Sequence, residues 1–63
     1  MKKFIEVNDR EVGTVLLNVN MIESVIPTDN GLTCAITFER MDCMELENSY
    51  LDIAEKLKGV GAL

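Results

Sequence analysis

The chain has 63 residues, a formal net charge of −5 and no histidine. This length allows one domain, residues 1–63, with a core so small that such chains commonly need a disulfide, a metal or oligomerisation. The acidic charge argues against a general binder of nucleic acids or anionic membranes, because both require a basic surface. Because the chain has no histidine, it lacks the commonest general base in enzymes and a ligand that most zinc sites use.

The N-terminus and the hydropathy pattern indicate a cytoplasmic protein. Residues 1–7 begin with a basic stretch but lack the apolar core of a signal peptide. No apolar run approaches the roughly 18 residues of a transmembrane helix. We therefore expect Cys34 and Cys43 to be reduced thiols.

The first third of the chain predicts two strands. Residues 4–7 form the first strand, and the polar residues 8–13 form a loop that ends in glycine. Residues 14–19 are β-branched and almost wholly apolar, which is typical of a central strand covered on both faces.

A change of chain direction is predicted before the third strand. Asn20 can cap a single helical or 3₁₀ turn that runs through Glu23. Residues 24–26 then form the third strand, and Pro27 either ends it or places it at a sheet edge.

Residues 32–38 carry the clearest pattern in the chain. They alternate strictly, which predicts a half-buried strand, and an Asn-Gly pair directly before them predicts a hairpin. The side chains that share the apolar face are Leu32, Cys34, Ile36 and Phe38. A two-residue loop would place Val25 opposite Ile36, whereas a wider loop with a bulge would turn Ile26 inward. Both alternatives remain open at the level of sequence.

A fifth strand is predicted over residues 44–47, with its acidic side chains facing outward. A three-residue turn at residues 39–41 would pair Ile36 with Met44 and Cys34 with Leu46.

From Ser49 onward the apolar spacing becomes helical. The residues that recur on one face are Tyr50, Ile53, Ala54 and Leu57. Ser49 is the predicted N-cap and Gly59 the predicted end, and residues 59–63 are candidates for a frayed tail. The predicted fold class is α+β, with a small antiparallel sheet of four or five strands (a meander or a partly open barrel) packed by one C-terminal helix.

The residues that could carry chemistry all have simpler structural roles. Cys34 falls on the core face and Cys43 on the opposite face, so no disulfide is predicted. The acidic residues near the fifth strand lack the spacing of a calcium loop, which leaves no predicted metal or cofactor site. Met21 and Met41 have no place in the predicted core, and with Arg40 they are the candidates for an interaction surface.

Ten residues spread over most of the chain form a pattern found in a known family: Leu17, Asn18, Ile22, Glu23, Thr28, Ile36, Thr37, Glu47, Ser49 and Ile53. Through them the chain resembles the FlbD-like family of small bacterial flagellar and swarming-motility accessory proteins. Where that family usually has a Gly-Lys turn, this chain has residues 39–42, Glu-Arg-Met-Asp. The layout is also similar to other small β-rich proteins of gut bacteria and their mobile elements. The resemblance implies a non-enzymatic bacterial accessory protein.

These observations predict a non-catalytic interaction module that forms a homodimer or higher homo-oligomer, with an unknown protein partner and no membrane partner. One alternative is an acidic inhibitor or decoy of a nucleic-acid-binding protein, derived from a phage or mobile element. A second is a small DNA- or RNA-binding regulator that uses Lys2, Lys3 and Arg40.

Overall fold

Five antiparallel strands and one C-terminal helix make up the fold, in a computed structural model that describes residues 3–39 and 42–63. The elements in chain order are β1 (Phe4–Asp9), β2 (Gly13–Asn18), a 3₁₀ turn η1 (Val19–Met21), β3 (Ile22–Thr28), a 3₁₀ turn η2 (Asp29–Gly31), β4 (Thr33–Phe38), β5 (Cys43–Leu46) and α1 (Tyr50–Gly59). The predicted α+β fold class is confirmed. In the described part of the chain, the one α-helix is too short and too polar to cross a bilayer.

The strands lie in the order β2-β1-β5-β4-β3, so β2 and β3 are the two edges of the sheet. These edges are consecutive in the chain and are joined by η1 alone. Because three residues span only about 10 Å, the end of β2 and the start of β3 lie close together and the sheet must curve. The prediction that residues 14–19 form a central strand is therefore wrong, since β2 has a sheet neighbour on one side only.

The β1–β2 hairpin is closed by a short turn that its side chains stabilise. Asp9 pairs with Gly13, and the Asp9 carboxylate accepts hydrogen bonds from the backbone N–H groups of Glu11 and Val12 at 2.7 and 3.1 Å. Gly13 has φ +86°, a conformation that residues with a Cβ rarely adopt. The predicted loop is confirmed, but the strands extend further into it than expected.

The register of β3 against β4 decides which side chain faces the core. Val25 lies opposite Ile36, as the two-residue loop required, and Ile26 therefore faces outward. The last pair before the turn is Thr28 with Thr33, which is one pair fewer than a two-residue loop would give. The 3₁₀ turn η2 connects the two strands. The predicted β4–β5 register is confirmed: Ile36 pairs with Met44, and Cys34 pairs with Leu46. Two of the predicted turn residues, 40 and 41, lie outside the described residues.

The cap of η1 differs from the prediction. The Asn18 side chain, not that of Asn20, serves as the N-cap and accepts a hydrogen bond from the Asn20 backbone N–H at 3.0 Å. The turn begins earlier than expected because Asn18 is the last residue of β2 and still has extended backbone angles, which an N-cap requires.

Helix α1 closes the concave face of the sheet. The Ser49 hydroxyl accepts a hydrogen bond from the Asp52 N–H at 3.1 Å, which confirms the predicted N-cap. The helix ends at Gly59 as predicted, although the glycine with positive φ is Gly61, at +78°. The core cluster consists of Ile5, Val7, Leu17, Cys34, Ile36, Leu46, Ile53 and Leu57.

The residues that follow α1 are held by backbone hydrogen bonds. The N–H of Gly61 donates to the carbonyl of Lys58 at 3.0 Å, and that of Ala62 donates to the carbonyl of Leu57 at 2.8 Å. Val60 is partly buried against the core.

Candidate functional site

The free edge of β2 is the least protected surface of the sheet. The N–H of Val19 donates to the carbonyl of Lys3 at 2.9 Å, so this pair is hydrogen-bonded across the β1–β2 ladder. Since hydrogen-bonded and non-hydrogen-bonded pairs alternate along an antiparallel ladder, Val15 and Leu17 also direct their backbone groups towards β1. The alternate residues Thr14 and Leu16 therefore direct their N–H and C=O groups away from β1, towards the free edge. Asn18 offers its N–H there, while its carbonyl, as that of the N-cap of η1, accepts the first hydrogen bond of the turn.

Two large apolar side chains lie exposed beside this edge. Leu16 is 68% exposed and Phe4 is 49% exposed. Both lie on the outer face, because their neighbours Leu17 and Ile5 are buried on the inner face. We call the outward backbone of Thr14, Leu16 and Asn18, together with the Leu16 and Phe4 side chains, the β2 edge surface.

The opposite edge of the sheet has the protection that β2 lacks. Strand β3 contains Pro27, carries the charge of Glu23 and has a register shift between Ile22 and Ser24. Proline, charge and bulges all discourage the pairing of an edge strand with another chain. Strand β2 has no proline and no charged residue, and its pairing with β1 is regular throughout.

The helix also leaves β2 uncovered. Among the described elements, α1 makes its main sheet contacts with β3 and β1, and β2 makes extensive contact with β1 alone. The apolar content of β2 is thus only partly used within the monomer, since Leu17 is buried but Val15 is only half-buried.

Of the three candidate surface residues, the structure describes Met21. It is 57% exposed and lies at the end of β2, where it lines a shallow depression with Leu17 and Phe38. Met21 therefore extends the apolar surface at this end of the strand. Arg40 and Met41 lie outside the described residues.

Three of the basic residues in the described part of the chain, Lys3, Lys56 and Lys58, lie at the C-terminal end of α1. The Lys3 ammonium lies just beyond the end of α1, where a Cβ built on Gly61 would come within 3.1 Å of it. A cation there interacts favourably with the negative end of the helix dipole. Lys2, its predicted companion, lies outside the described residues.

The carboxylates are distributed over many elements of the fold. Glu6 lies on β1, Glu23 on β3, Glu45 on β5 and Glu55 on α1. Within residues 3–39 and 42–63, no group of three or more His, Cys, Asp or Glu side chains could hold a metal ion. Glu45 is paired with Arg10 at 3.2 Å, and both side chains are substantially exposed.

The two cysteines are free thiols in different environments. Cys34 is buried in the core, and Cys43 is exposed on the outer face opposite Thr37. Burial raises the pKa of the Cys34 thiol above its ordinary 9.0, and the nearby negative charge of Asp52 raises it further. Cys34 is therefore protonated at neutral pH and packs as a small apolar residue.

An apolar groove lies between α1 and β3. Its volume is about 320 Å³, and apolar side chains such as Val25, Leu57 and Leu63 line most of it. Glu23 is the only charged residue in its lining. The groove has one carboxylate and no cation to orient a ligand.

No family model matches the chain, and none of the curated proteins or solved structures compared with it is significantly similar.

One property of the β2 sequence is independent of its apolar periodicity and points to an edge strand that can pair with another chain. Residues 13–18 combine a strand-like apolar run with no charge and no proline. That combination is typical of a central strand that is covered within its own chain, and equally of an edge strand that is covered by a partner chain.

Proposed function

We propose that this protein is a small non-catalytic interaction module that associates with itself through the β2 edge surface. The observation that supports the proposal is the contrast between the two sheet edges. Strand β3 carries the features that prevent strand pairing, whereas β2 presents unpaired backbone groups beside an exposed leucine and phenylalanine.

A bacterial accessory role is part of the proposal. The sequence resemblance to FlbD-like motility proteins implies a non-enzymatic bacterial accessory protein. A self-associating module of this size would serve that role as a small scaffold. A pull-down from the native host, with the β2 edge variant Leu16→Lys as the matched control, would identify the partner.

The distribution of charge does not favour the two alternatives. A decoy for a nucleic-acid-binding protein needs an uninterrupted acidic surface. Four carboxylates line one depression, but Arg10 lies among them and pairs with Glu45 at 3.2 Å. These four are Asp9, Glu11, Asp42 and Glu45. A nucleic-acid binder needs a basic surface, and although Lys3, Lys56 and Lys58 lie at one end of α1, the chain as a whole has a net charge of −5.

Self-association is tested by static light scattering over a dilution series from about 1 µM to about 500 µM, a range suited to small interfaces. We expect the mass to rise from 7.0 kDa towards twice that value as the concentration increases. A mass that stays at the monomer value over the whole series would contradict the proposal.

A further inference from the structure

We infer that two copies of the chain pair through β2 in antiparallel orientation, with Leu16 opposite Leu16, so that the two sheets become one continuous sheet. This inference rests on the proposed self-association and specifies its geometry. It requires a twofold axis at Leu16, which is the usual symmetry of a homodimer.

The backbone is compatible with this register. Thr14 and Leu16 direct both their N–H and C=O groups to the free edge, and Asn18 directs its N–H there. With Leu16 opposite itself, the two Leu16 residues exchange two hydrogen bonds. Thr14 of each copy lies opposite Asn18 of the other, so the Asn18 N–H can donate to the Thr14 carbonyl.

The side chains favour the same register. On the outer face, Leu16 meets its own copy, and Phe4 is the diagonal neighbour of Leu16 on β1, where Glu6 lies directly opposite Leu16. The two leucines and the two diagonal phenylalanines share the outer face of the joined strands. On the inner face, Val15 of each copy lies opposite Leu17 of the other, which extends the core cluster into the interface.

Charge does not oppose the pairing, despite the net charge of −5. Strand β2 has no charged residue. The nearest outer-face carboxylate, Glu6 on β1, would be separated from its copy by three strand spacings, or about 14 Å. That separation exceeds the screening length of about 8–10 Å in physiological salt, so the repulsion between the two carboxylates is small.

Disulfide trapping tests the register directly. Opposed residues in a hydrogen-bonded antiparallel pair have Cα atoms about 5.5 Å apart, which lies within the range of about 4.4–6.8 Å found across disulfides. In a Cys43→Ser background, the variant Leu16→Cys should form a covalent dimer under mild oxidation. The matched control is Ile26→Cys, which places an exposed thiol on the outer face of the protected edge β3.

We expect Leu16→Cys to form the covalent dimer at least about tenfold faster than Ile26→Cys at equal protein concentration. The separate variant Leu16→Lys should weaken dimerisation by about a hundredfold, because it removes two buried leucines and places two cations opposite each other. Circular dichroism of each variant checks the fold, which an exposed position should not alter.

The outcomes separate the register from self-association itself. Equal or faster trapping at Ile26, in a protein whose mass still doubles, would overturn the β2 register and leave self-association in place. A monomeric mass at every concentration would overturn both. A second readout uses the unmodified chain: the Leu16 amide, which faces the free edge, should become protected from hydrogen exchange as concentration rises, and a lack of such protection would contradict the pairing.

Discussion

The docking of α1 on the sheet predicts that Ile53→Ala removes most of the stability of the fold. Ile53 is fully buried, and it and Leu57 are the only buried residues of the helix. Truncation of a buried isoleucine to alanine costs about 2–5 kcal/mol, through lost apolar transfer and the cavity that remains. A chain of this size has a free energy of unfolding of only about 3–9 kcal/mol. We expect a loss of about 3–4 kcal/mol, because the whole Ile53 side chain is buried in the core cluster.

The matched control for Ile53→Ala is Leu51→Ala on the same helix. Leu51 is 66% exposed, so its truncation should change the free energy of unfolding by less than about 0.5 kcal/mol. Both variants are measured by urea denaturation with circular dichroism at one fixed protein concentration, because dimerisation would otherwise add a concentration-dependent contribution. Equal losses for the two variants would refute the assignment of Ile53 as the residue that anchors the helix.

Two further variants probe local features of the fold. Ser49→Ala removes the acceptor of the Asp52 N–H and should lower the free energy of unfolding by about 1 kcal/mol in the same urea assay, and no change would mean that the cap is dispensable. Because burial raises the pKa of Cys34, the unfolded thiol ionises at a lower pH than the folded one. The free energy of unfolding therefore has its full value below the ordinary pKa of 9.0 and decreases as the pH rises through the folded-state pKa. The free energy of unfolding should therefore fall between about pH 8 and pH 10 more steeply in the unmodified chain than in Cys34→Ala, and parallel pH profiles would contradict a raised pKa.

The local patterns of the chain predicted much of the fold. Alternation in residues 32–38 and 44–47 was sufficient for the β4–β5 register, because an error of one residue would turn Cys34 and Ile36 out of the core. The helix was predicted from its cap and its apolar spacing, both of which are properties of neighbouring residues. The N-cap of η1 is Asn18, two positions before the predicted Asn20. Both asparagines are chemically suitable caps.

The place of β2 in the sheet could not be obtained in the same way. Residues 15–17, Val-Leu-Leu, indicate that both faces of the strand are apolar, but the pattern does not state what covers them. Within the monomer, Leu17 is covered by the core and Leu16 is uncovered. The strand order depends on the pairing of β1 with β5, which joins distant parts of the chain and has no local signature. The surface that carries the proposed function was therefore the part of the fold that the sequence patterns misplaced.

The narrow junction between β1 and β5 has a consequence for how the protein folds. The two strands share one paired position, Asp9 with Leu46, and the neighbouring contact between Arg10 and Glu45 joins residues 35 positions apart. Each hairpin on either side closes a short loop and can form within microseconds, whereas this junction requires a much longer closure at a greater entropic cost. We infer that the β1–β2 hairpin and the β3–β4–β5 meander form early, and that their joining limits the folding rate.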